Sequence, residues 1–89
     1  MAALSRKGDQ NNGGGKIVKG ASTVFANGIP VGLHVSDITP HPGGGTHNSA
    51  KTTEGSPTVF AEGVAVLRVG SGDTCGHSIN QGSPDVNCP

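Results

Sequence analysis

Tryptophan and tyrosine are missing altogether, phenylalanine appears twice, and only 13% of the 89 residues are charged, with acids and bases in balance. A nucleic-acid surface wants stacking rings or a basic stripe, and this chain offers neither. No segment approaches the ~18 consecutive apolar residues of a membrane span. The opening Met1-Ala2-Ala3-Leu4-Ser5-Arg6-Lys7 also lacks the apolar run of a signal peptide. The chain therefore reads as made and folded in the cytosol, where its two cysteines, Cys75 and Cys88, stay reduced. A Cys75–Cys88 disulfide is the alternative. No stretch shows a 3.6-residue apolar period, so essentially no helix is expected.

What is present is glycine, 16 residues, more than twice the ~7% of average usage. Leu, Ile, Val and Phe together number 18, which fits a thin, turn-rich β domain. Residues 1–89 form one small domain whose core supplies only roughly 3–5 kcal/mol, so a staple is expected. The organising feature is a phrase that recurs. Gly20-Ala21-Ser22-Thr23-Val24-Phe25-Ala26-Asn27-Gly28 matches Gly55-Ser56-Pro57-Thr58-Val59-Phe60-Ala61-Glu62-Gly63 at six of nine positions. A third copy, Gly82-Ser83-Pro84-Asp85-Val86-Asn87-Cys88, ends at the C-terminus. Such repeats are supersecondary units arranged together, because one unit alone cannot bury its apolar face.

Asn27-Gly28 is a strong hairpin signal, since both central residues of a type I′ turn need positive φ. By the repeat, Glu62-Gly63 turns a second hairpin that returns through Val64 to Val69. Residues 1–15 read as a polar lead and a loop, and residues 36–53 as a long functional connection with two prolines and two histidines. Cys75 to Ile79 reads as a short strand.

Several elements now stand in order: Arg6-Lys7-Gly8-Asp9, the Gly-Ser-Pro-Thr-Val-Phe hairpins, Arg68-Val69-Gly70, Cys75-Gly76-His77, and Gly82-Ser83-Pro84 before Val86. Over nearly its whole length the chain resembles the PAAR-repeat family, conical proteins that sharpen the spikes of contractile phage tails and type VI secretion machines. The namesake Pro-Ala-Ala-Arg is never literal, standing as Pro30-Val31-Gly32-Leu33-His34 and Ala65-Val66-Leu67-Arg68. Asn11 and Asn12 occupy the opening loop, where members of the family often carry histidine. One inserted residue would set His34 opposite Arg68.

Four side chains suit a metal: His41, His47, Cys75 and His77. Residues i and i+2 of a strand share a face, so Cys75 and His77 can chelate one ion, with His41 and His47 folding over it from the glycine-rich loop. Three imidazoles and a thiolate suit structural zinc, which would be the missing staple. Free surface histidines beside an inert thiol, or a catalytic zinc with an open position, are the alternatives.

The resemblance implies an all-β cone of three pseudo-threefold hairpin repeats with the metal near its apex. It further implies that one copy caps a trimeric β-helical spike through Val24, Phe25, Val59, Phe60 and Val86, and that the tip makes transient contact with the target envelope. No enzyme activity, small-molecule substrate or nucleic acid is expected. The expected location is the virion, at the tip of the tail baseplate spike, with a type VI tip or effector adaptor as alternative and an independent zinc enzyme as the remoter one.

Overall fold

The computed structural model describes residues 2–43, 45 and 49–88. Its strands are β1 (Ala2–Ala3), β2 (Gly20–Ala26), β3 (Ile29–Gly32), β4 (Phe60–Ala61), β5 (Val64–Ala65) and β6 (Asn87–Cys88), with no α-helix among the described residues. They pair as three two-stranded sheets, β2 with β3, β4 with β5 and β1 with β6. The first two are the expected hairpins. Asn27 and Gly28 have φ of 56° and 76°, and Glu62 and Gly63 of 54° and 78°.

The third hairpin corrects the reading of residues 1–15 as lead and loop. Ala2 pairs with Cys88 and Ala3 with Asn87, as Ile29 pairs with Ala26 and Pro30 with Phe25, and Val64 with Ala61 and Ala65 with Phe60. The third repeat, with β6 at residues 87 and 88, is thus completed by β1. Ala3-Leu4-Ser5-Arg6 is the counterpart of Pro30 to Leu33 and Ala65 to Arg68.

A cycle of hydrogen bonds closes the three repeats around an axis. Ser5 N donates to Leu67 O at 2.9 Å, Leu67 N to Gly32 O at 2.8 Å, and Gly32 N to Ser5 O at 2.9 Å. Bridge pairs Arg6–Val31, Leu33–Val66 and Arg68–Leu4 repeat the pattern one step outward. Leu33, not His34, therefore corresponds to Arg68; no inserted residue intervenes, because the bridges fix the register. His34 turns aside, its Nδ1 2.9 Å from Thr52 Oγ1.

Each repeat phrase opens on glycine for a steric reason. A Cβ on Gly20, Gly55 or Gly82 would stand 3.0, 2.9 and 2.9 Å from the Cβ of Pro30, Ala65 and Ala3 respectively. Inside the ring of hairpins lies one apolar cluster, including Leu4, Ala26, Val31, Ala61, Val66 and Cys88. Farther along the axis Ile17, Ile38, Ala50, Leu67 and Ile79 form a second.

The chain leaves each hairpin toward a second tier built the same way. Gln10 bridges Lys16, Asp37 bridges Lys51 and Gly72 bridges Ser78, while Asn11–Ile79, Ile17–Ile38 and Thr52–Asp73 join neighbours. Loops 11–15 and 73–77, with the described residues of 38–50, top this tier. The molecule extends 32 × 23 × 21 Å, with hairpin tips at one end and loops at the other. At the hairpin end Phe25 and Phe60 are 56% and 59% exposed, Val24 and Val86 are exposed as well, and Val59 is half-buried against the basal cluster.

Candidate metal centre

The apex loops gather His41, Cys75 and His77. His41 leaves the second loop, and Cys75 and His77 flank the turn at Gly76, where φ is 89°. Cys75 and His77 do not lie on a strand, as their spacing had suggested; the bridge ladder stops at Asp73 and resumes at Ser78. Turn geometry, not strand alternation, brings the two side chains to one side.

The donor atoms form a compact triangle. His41 Nε2 lies 3.1 Å from His77 Nδ1, Cys75 Sγ lies 3.4 Å from His41 Nε2 and 3.3 Å from His77 Nδ1. Tetrahedral bonds of about 2.0–2.1 Å to nitrogen and 2.3 Å to sulfur imply edges of roughly 3.3 and 3.6 Å. The triangle fits one face of such a tetrahedron, and this group of His41, Cys75 and His77 could hold a metal ion. His47, the fourth expected ligand, lies outside the described residues. His34 is elsewhere.

The surroundings orient these donors. His41 is buried, and its Nδ1 is 2.9 Å from the Thr39 carbonyl oxygen. A carbonyl only accepts, so Nδ1 carries the proton and the Nε2 lone pair faces Cys75 and His77, as a metal-ligating imidazole requires. Asp73 Oδ1 accepts from His77 N at 2.9 Å and from the Cys75 thiol at 3.0 Å. Burial, with the Asp73 carboxylate beside it, holds the Cys75 thiol above its ordinary range. Binding a metal at sulfur therefore has to displace that proton.

Asn11 and Asp73, 2% and 7% exposed, are the residues that sequence reasoning missed. Asn11 Nδ2 donates to Asp73 Oδ2 at 2.7 Å, tying the first loop to the third. Its Oδ1 accepts from Gly13 N at 2.9 Å and Gly15 N at 2.8 Å. Asn followed by glycines reads locally as a turn former; only the equivalence of loops 11–15 and 73–77 would have set Asn11 beside Asp73. The two cysteines are both free thiols, one at the apex and one in the basal cluster, so the alternative disulfide is not formed.

No curated protein matches the chain. The family model described as PAAR motif matches residues 7–81, a span that takes in the first two hairpins, the second tier and all three clustered donors. With three hairpins closed around one axis and a His-Cys-His cluster at the loop end, the chain belongs to the PAAR-motif family, a family of spike-tip proteins of contractile injection systems.

Proposed function

We propose that this chain is a structural tip, one copy of which caps the trimeric central spike of a phage tail baseplate and is driven into the target envelope. The observation that carries the reading is the internal threefold. One chain presents three hairpins of like register at one end, with Val24, Phe25, Phe60 and Val86 exposed there. A trimeric β-helix ends in three sets of unpaired strand groups, which invite covering by strands of the same pitch. A pseudo-threefold monomer meets that end without breaking symmetry.

At the opposite end the cluster of His41, Cys75 and His77 would hold structural zinc, with His47 called on as the fourth ligand. Zinc is preferred because a thiolate with imidazoles in a tetrahedral arrangement suits it. When bound, the ion cross-links the second loop to the third, and the chain's own residues do the rest: Thr39 and Asp73 fix the ligands, and Asn11 locks in the first loop. The result is a narrow point that resists splaying under axial load. The protein makes and breaks no bond, and no substrate is involved. A type VI spike would use the same two ends; the neighbouring genes, baseplate or secretion ATPase, discriminate the settings.

Native mass measurement of the complex with its spike protein tests the stoichiometry. One chain per spike trimer is expected, and three would overturn the pseudo-threefold docking. Elemental analysis of protein purified without chelator should give one zinc per chain, with iron or no metal counting against the assignment.

A further inference from the structure

The first apex loop is a copy of the third with its ligands removed. Both run five residues between bridge partners, Gln10 with Lys16 and Gly72 with Ser78. Gly14 and Gly76 hold the same φ, 91° and 89°, and the N–H of each donates back to the carbonyl oxygen of Asn11 and Asp73, at 3.3 and 3.2 Å. In this superposition Gly13 stands where the third loop has Cys75, and Gly15 where it has His77. Loop 11–15 thus has the backbone of a ligand-bearing loop and no ligand.

The absent side chains leave space that is filled. A Cβ on Gly13 would overlap the His77 imidazole, coming within 2.7 Å of Nε2. On Gly15 it would stand 2.6 Å from His41 Nδ1 and overlap Ile38. A Cβ on Gly14 would meet nothing within 4 Å. Two alternate positions of one loop are therefore closed by the two imidazoles, and the one between them is open.

We propose that loop 11–15 is the third wall of the metal centre, with Gly13 and Gly15 as its positioning residues. Their bare backbone seats the His77 and His41 rings, and Asn11, bonded to both glycine N–H groups and to Asp73, pins that backbone in place. The centre is thereby moved off the pseudo-threefold axis and closed against water on the side of the first loop, which keeps it structural. This inference rests on reading the cluster as a metal site.

Cobalt(II) reports the geometry through its thiolate-to-metal absorption, and zinc competition against a chromophoric chelator reports the affinity. Wild type should bind one ion with the thiolate band. Gly13→Ala should bind about 10- to 100-fold more weakly with a shifted cobalt spectrum, as for loss of a group that orients a ligand. Gly14→Asn, which accepts positive φ and points into open space, should bind as wild type. Equal affinity and spectrum for Gly13→Ala and wild type, or equal losses in Gly13→Ala and Gly14→Asn, would overturn the wall alone. A wild type that binds neither ion would overturn the metal reading and the wall with it. Should Gly13→Ala not fold, the Gly13→Ala/His77→Ala double variant decides. With the ring gone the methyl has room, so its urea midpoint should equal that of His77→Ala, and a lower one counts against the proposal.

Discussion

Cys88 is 2% exposed and fills the place that Ala26 and Ala61 fill in the other two hairpins. Cys88→Ala removes one small group from a site where alanine already packs twice, so a cost of about 1 kcal/mol or less is expected. Cys75→Ser removes a donor from the apex triangle, and the variant should lose zinc and melt well below wild type. Thermal melts with and without chelator check both, since chelator should lower the melting temperature of Cys88→Ala and leave Cys75→Ser unmoved. Asp73→Ala would strand the buried donor Asn11 Nδ2 and the partly buried His77 N, at a cost of about 2–4 kcal/mol, measurable by urea unfolding of zinc-free protein. The metal-type residues Cys75, His77 and His41 were legible from chemistry alone, although the strand argument for the first two was not how they meet. Asn11 and Asp73 were not legible, because their partners come from another repeat and nothing local in a glycine-rich loop distinguishes a buried amide from a solvated one.

Between hairpins the neighbours grip by their tips. The Glu62 carboxylate, at the second tip, accepts from Thr23 N at 2.9 Å, from Ser22 Oγ at 3.0 Å and from the Thr23 hydroxyl. Asn27, at the first tip, donates from Nδ2 to Asp85 Oδ1 at 2.8 Å. The Thr23 and then the Ser22 hydroxyl hold Glu62 below its ordinary carboxylate range. A folded-state pKa that is depressed contributes stability above the unfolded value, and the contribution is lost as pH falls through the folded one. Glu62→Gln should therefore melt below wild type at neutral pH, and the gap should close under acid conditions beneath the carboxylate range. A gap that persists there would mean that the carboxylate charge is not what matters. The first two hairpins were readable because Asn27-Gly28 states its own turn and the repeat lends that reading to Glu62-Gly63. The third had no turn to find: Ala2-Ala3 carries no β-branched residue, and its partner strand begins at residue 87.

Over the whole molecule the two apolar clusters divide the work. The basal one is closed by the axial cycle of Ser5, Gly32 and Leu67, and the apical one lies under the metal donors. Removing the ion should release the apex first. Amides of residues 11–15 and 73–77 are expected to lose hydrogen-exchange protection on chelation, while those of Ser5, Gly32 and Leu67 keep it. Uniform loss would show one cooperative unit instead. The pairing of Ala2 with Cys88 also bears on how the protein comes into being. Residues 2 and 3 leave the ribosome well before residues 87 and 88, so the ring is sealed only when translation has passed both partners. Until then β1 offers an unpaired edge and the basal cluster lacks a wall. Another nascent chain at the same stage carries the complementary strand soon afterwards, and exchange of β6 between two such chains would satisfy both edges. Chains translated close together on one message are thus exposed to strand swapping, while a chain that finishes alone has only its own β1 to close upon.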